Sequence, residues 1–167
     1  ISSSAHCTFN SVSLGSDASF AAYRANSTLL LVDQYSGGII PAELHFTNNS
    51  WRGIEGNNRL DYGVKITCCD GIWVSNLHCG FLQTAAIALM PATNSSQLTS
   101  VNIANAYLDT TVGTGLLVQE PSGAYAGSFG AHNFRLTTVY NCGTGVVWDC
   151  AATDWSELHP GQVTNID

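Results

Sequence analysis

Apolar residues recur at every second position in a series of short segments. In Ile72-Trp73-Val74-Ser75-Asn76-Leu77, Val101-Asn102-Ile103-Ala104-Asn105-Ala106 and Phe134-Arg135-Leu136-Thr137-Thr138-Val139 the first and third positions are apolar. Each is followed, roughly a dozen residues on, by a second run that opens at or near small residues. These second runs are Ala85-Ala86-Ile87-Ala88-Leu89, Gly115-Leu116-Leu117-Val118 and Gly145-Val146-Val147-Trp148. An earlier, shorter copy leads from Trp51-Arg52-Gly53-Ile54 to Gly63-Val64-Lys65-Ile66. A period of two places alternate side chains on opposite faces of a strand. The whole unit returns about every 23 to 33 residues, within the range of solenoid repeats.

One such unit cannot bury its own inward side chains. Stacked units can, because each strand then gains a parallel partner above and below, and the inward residues pile into one continuous core. The pattern therefore predicts an all-β chain wound as a parallel β-helix, a solenoid. Gly63, Gly115, Gly145, Asn76, Asn105 and Asn141 are expected at its corners, where a positive φ suits Gly and Asn. The competing architecture, a β-sandwich, needs strands every eight to twelve residues joined by hairpin turns. The one Asp-Gly pair, Asp70-Gly71, falls between two repeats instead.

Before Leu44 the pattern differs. Ser16-Asp17 can cap a helix, and Ala18, Phe20, Ala21, Ala22, Tyr23 and Ala25 have helical spacing, so a short N-terminal capping helix is predicted. The expected organisation is a cap region over 1–43, β-helix coils over 44–150 and a C-terminal extension over 151–167. Stretches 91–98 and 121–132 read as loops leaving the stack, the second because of its Pro, Gly and Ser content. The chain opens on Ile1 rather than Met, and a piece of a longer protein is the expected reading.

Composition narrows the functional classes. The chain is 45% hydrophobic, which suits a packed core, yet only 10% charged; Ser, Thr, Asn and Gly fill the polar positions. That profile suits a rigid extracellular or virion surface. The net charge is −7, and Arg24, Arg52, Arg59, Lys65 and Arg135 are scattered, so no basic stripe for nucleic acid is present. No segment has the apolar length of a membrane-spanning helix, and neither nucleic acid nor membrane insertion is expected. The six cysteines are too sparse for a disulfide scaffold and are read as small buried hydrophobes. Cys68 and Cys69 are expected on opposite faces of one strand, one buried and one exposed; Cys142–Cys150 is the pair to examine if the protein is oxidised.

Ser36-Gly37-Gly38-Ile39-Ile40-Pro41, Leu44-His45-Phe46 and Trp51-Arg52-Gly53-Ile54-Glu55-Gly56-Asn57 together resemble the opening of pectate-lyase-type right-handed parallel β-helices. The repeats that follow are similar to those of phage tailspikes and tail fibres, over roughly 17–150. The sequence departs from the opening pattern at Ala42-Glu43, where a Gly and an aromatic residue are usual. The resemblance implies a homotrimer in a virion tail or spike, contacting other virion proteins and host surface polysaccharide. It implies, as the alternative, an extracellular polysaccharide lyase or glycoside hydrolase, or a fragment of one. Fold alone does not choose between them. A third reading, a secreted adhesin, is allowed by glycosylation triplets at Asn26, Asn48 and Asn94.

Glycoside hydrolysis generally uses two carboxylates about 5 to 10 Å apart. Asp61, Asp70, Asp109, Glu120, Asp149 and Asp154 are available, and Glu120 and Asp149 occupy like positions one repeat apart. Asp109, Glu120 and Asp149, with Arg135 as a base, are the weak catalytic candidates. The lyases' arginine-based motif matches no position. His78 and His132 read as hydrogen-bonded surface or corner residues. No Gly-x-Ser-x-Gly elbow, phosphate loop, dinucleotide fingerprint or clustered calcium ligands occur, so no cofactor and no metal are expected. Trp73 and Trp148 are expected to point outward, and Tyr125 and Phe129 lie in the long loop. These four are candidates for a glycan platform or for a buried surface between chains. The interface is the favoured reading, because the resembled phage proteins pack side by side.

Overall fold

A computed structural model describes residues 5–15, 25–34, 39–54, 59–93, 95–119, 128–130, 132–149 and 162–166. The strands among them are β1 (Ala5–Asn10), β2 (Ser13–Gly15), β3 (Thr28–Val32), β4 (Ala42–Thr47), β5 (Ser50–Arg52), β6 (Leu60–Ile66) and β7 (Cys69–Gly80). They continue with β8 (Leu82–Leu89), β9 (Gln97–Asp109), β10 (Thr114–Gln119), β11 (Ser128–Gly130), β12 (Asn133–Tyr140), β13 (Thr144–Asp149) and β14 (Gln162–Ile166). No helix occurs among the described residues. The predicted capping helix, from Ser16-Asp17 to Ala25, lies outside them except for Ala25, which is in a turn.

The strands form two sheets. One follows the order β1-β4-β7-β9-β12-β14, with β2, β5 and β11 attached; the other runs β13-β10-β8-β6-β3. Every pairing is parallel. The chain is thus all-β and parallel, as the repeat predicted. All eight predicted strand segments coincide with or overlap β5–β10, β12 or β13.

Register shows why alternation suffices. Leu44, Ile72 and Val101 are successive partners on β4, β7 and β9. Phe46, Val74, Ile103 and Phe134 form a second inward column, and Trp51, Cys79 and Leu108 a third. In the other sheet Val32, Ile66, Leu89 and Val118 are aligned. All of these are buried in one core cluster. Burying one such large side chain contributes about 1.5–3 kcal/mol. Because a one-residue slip would turn the apolar side of a strand outward, burial of that side selects the register that keeps these columns aligned.

Between strand segments the chain turns through left-handed residues at matching levels. Asn48, Asn76 and Asn105 have φ of 56°, 53° and 56°; Phe81, Thr110 and Asn141 form a second set, and Glu43, Gly71 and Ser100 a third. The asparagine corners agree with expectation. The glycine corners do not: Gly63, Gly115 and Gly145 lie inside β6, β10 and β13, and none has a positive φ. Gly63 is there because its neighbours leave no room for a side chain.

The corner asparagines also bond to one another. Asn76 Nδ2 donates to Asn48 Oδ1 at 2.9 Å and Asn105 Nδ2 to Asn76 Oδ1 at 3.3 Å; Asn48 Nδ2 also donates to Oδ1 of Asn10, the last residue of β1, at 3.2 Å. Successive rungs here are 28 and 29 residues apart.

Several boundaries differ from expectation. Stacking begins before Leu44, since β1, β2 and β3 already pair with β4, β5 and β6. The C-terminal extension contributes β14, which pairs with β12. The segment read as a loop over 121–132 contains β11, paired with β9. Cys68 and Cys69 are both buried, because Cys68 sits in the bend before β7, where strand alternation does not yet apply. Burial pushes both thiols, and that of Cys79, above their ordinary pKa.

Candidate functional site

The outward positions of the nine-stranded sheet form registered rows. One row is Thr8, His45, Trp73, Asn102 and Asn133. Leu44 and Phe46 flank His45 inside, and Ile72 and Val74 flank Trp73, so both rings are driven out by the same alternation. They stack face to face, centroids 4.8 Å apart and planes within 9°. Trp73 remains 40% exposed, the outward placement predicted for it.

Gly71 fixes the indole further. A Cβ there would lie 2.9 Å from Cη2 and Cζ3 of Trp73, and Gly71 has a φ of +87°. Glycine thus serves both the left-handed corner and the close approach of the ring. On the opposite side from His45, the next residue in the row is Asn102, whose Nδ2 donates to the Ser100 carbonyl at 3.1 Å. The adjacent outward row carries Thr47 and Ser75, with hydroxyl oxygens 3.5 Å apart, and then Ala104 and Arg135. The asparagine ladder borders it. This face is therefore an aromatic pair edged by hydroxyls and amides, with the exposed Arg135 two residues beyond Asn133 as its cation.

A second outward cluster lies beyond the Asn76 and Asn105 corners. His78 and Tyr107 are register partners in edge-to-face contact, centroids 5.1 Å apart. His78 Nε2 stands 3.8 Å from Asp109 Oδ2, beyond hydrogen-bonding distance. Asp109 Oδ1 accepts the Thr110 hydroxyl, and the Arg59 guanidinium donates to the Thr110 carbonyl at 2.7 Å. Arg52 lies over the Phe81 ring, 4.4 Å from its centroid.

Of the catalytic candidates, the three among the described residues, Asp109, Asp149 and Arg135, are not brought together. Asp109 ends β9 in the nine-stranded sheet, whereas Asp149 ends β13 in the other. The register partner of Asp149 is Gln119, whose Nε2 donates to Asp149 Oδ2 at 3.0 Å. The row is amide on carboxylate rather than two carboxylates, and Glu120 lies outside the described residues. Arg135 pairs with Ala104, five residues before Asp109 and across the Asn105 corner. Asp61 is buried, accepting the Asn26 amide and the Thr84 hydroxyl, which is a structural arrangement.

Trp148 corrects another expectation. It packs half-buried against the core, edge-on to Phe134 at 6.3 Å, because its register partner is the inward Val118. Tyr125 lies outside the described residues. Of Phe129 the backbone in β11 is described, paired with Leu98. His45 was overlooked in the sequence, although aligning Leu44-His45-Phe46 with Ile72-Trp73-Val74 places it directly beside Trp73.

His132 is also not the surface or corner residue expected. It is 2% exposed, and its Nδ1 accepts the Val101 amide at 3.3 Å. Burial lowers its pKa to about 4. The unfolded chain takes up this proton near the ordinary value of about 6.5, the folded chain only near 4. Stability from neutral His132 is therefore complete above about pH 6.5 and is lost as pH falls towards 4, by about 3 kcal/mol. Urea unfolding at neutral and acidic pH should show a steeper acid loss for the wild type than for His132→Asn, which keeps an acceptor but no titrating group.

Comparison of the chain with protein-family models, curated proteins and solved structures gives no match in any of the three.

Proposed function

We propose that the chain winds as a right-handed parallel β-helix and forms part of a virion spike or tail fibre, a homotrimer that attaches to host surface polysaccharide. The observation that carries this reading is the registered parallel stack, with its outward face of uncharged hydroxyls and amides around the His45–Trp73 pair. Parallel connections are right-handed in nearly all proteins, which supports the handedness. A stack in which each rung bonds to the next is stiff along its axis, as an attachment device must be. Its low charge and net −7 suit neutral, hydroxyl-rich partners. No cofactor enters this role.

Light scattering on the protein mixed with a polysaccharide panel tests it. The expected mass is three times the 17.7 kDa chain, with every polymer left intact. A monomer at all concentrations would count against the spike. A shortened polymer would identify a polysaccharide-degrading enzyme, and activity surviving Asp149→Asn, Glu120→Gln and Asp109→Asn would remove those acids from its mechanism.

A further inference from the structure

Beyond His45 and Trp73 the row continues with shorter side chains. His45 covers one face of the indole at 4.8 Å. The other face is turned towards the rung of β9, where the partner is not a third ring but Asn102. The Asn102 amide is drawn along its own strand by its bond to the Ser100 carbonyl, which leaves its oxygen as a side acceptor. Asn133 stands one rung further on and is exposed. Gly71 and His45 hold the indole in place, so binding there loses little side-chain freedom.

We infer that this position, over Asn102 and against the exposed part of the Trp73 indole, binds a sugar ring of a neutral glycan. The inference rests on the attachment reading above and adds the residues and the ligand class. Three features select that class. The aromatic face accepts the apolar C–H face of a pyranose. Asn102, Asn133, Thr47 and Ser75 offer donors and acceptors without charge, matching hydroxyls rather than carboxylates or sulfates. Asp70, exposed on the same strand as Trp73 and accepting the Thr99 hydroxyl at 2.9 Å, disfavours anionic sugars at the indole, while the exposed Arg135 stands two residues beyond Asn133 at the far end of the row. Because the row follows the stacking direction, the glycan runs across the strands, spanning successive rungs about 4.8 Å apart.

Calorimetric titration with dextran, mannan and galactomannan, and with heparin and alginate as anionic controls, tests the site. At least one neutral polymer is expected to bind, with little dependence on salt. Trp73→Ala and Asn102→Trp should each weaken it about tenfold or more, while Trp73→Phe keeps a ring and stays within about threefold. Circular dichroism and solution mass should be unchanged in all three variants. Binding of only heparin or alginate, unaltered affinity in Trp73→Ala, or no neutral polymer bound would each overturn the inference. A trimer that binds none of them would leave the spike reading standing while this site fell. Loss of trimer mass in Trp73→Ala would assign the indole to a subunit interface instead, and also overturn the site.

Discussion

Gly63→Ala is expected to lower the unfolding free energy by about 3 kcal/mol, although it adds a single methyl group. The new Cβ would lie 2.3 Å from Cys79 Sγ, 2.6 Å from the Ala86 carbonyl oxygen and 2.8 Å from Leu82 Cδ1. Comfortable carbon contacts begin at about 3.5 Å. The oxygen belongs to the backbone of β8, paired on both sides with β6 and β10, so it cannot step aside alone. Cys79 and Leu82 are fully enclosed. The comparison is Gly145→Ala at the like position of β13, where the nearest atom is Val139 Cγ1 at 3.9 Å and φ is not positive. There the smaller unfolded ensemble of alanine should stabilise by about 0.5 kcal/mol. Urea midpoints of the two variants should move in opposite directions. Equal shifts would show that the two glycines serve the same purpose.

Trp51→Ala should cost about 3–5 kcal/mol, the range for truncating a fully enclosed large aromatic residue. Trp51 is 1% exposed and meets Phe46 edge-to-face at 5.5 Å; Phe46 in turn stacks on Phe9 at 4.8 Å. Removing the indole therefore opens a cavity among rungs whose other side chains are held by register and cannot collapse inward. Trp73→Ala is the informative partner, because that indole lies on the outside of the same sheet. Its loss should cost about 1 kcal/mol, mainly the stack on His45. Guanidinium unfolding of both, followed by circular dichroism, measures the difference. A small effect at Trp51 would contradict the inward column that it shares with Cys79 and Leu108.

The two tryptophans show how far a sequence reading reaches. Trp73 is flanked by Ile72 and Val74 within a clean alternation, so its outward placement was legible. Trp148 follows two adjacent valines, where alternation gives no parity, and only pairing with Val118 decides that it turns inward. The candidate site divides in the same way. Trp73 was legible as a ring that could meet a ligand. Its stack on His45 needed the register between β4 and β7, and its close seat on Gly71 needed the corner geometry. Glu120 and Asp149 looked equivalent by counting, but the register places Gln119 opposite Asp149. A one-residue offset in a strand reverses the face, so counting alone cannot pair surface acids.

The amino-acid sequence by itself determined the all-β class, the approximate repeat, the inward apolar set and the asparagine corners. Each of these follows from local physics: a side-chain period of two, and the tolerance of Asn for positive φ. Tertiary structure alone decided the register between rungs, the early start of the stack at β1, the burial of His132 and the space that makes Gly63 obligatory. Those depend on which residue lies one repeat away, 22 to 37 positions along the chain, and so on the lengths of the segments between. Segment length alters the partner of every residue without altering the alternation that forms the strands.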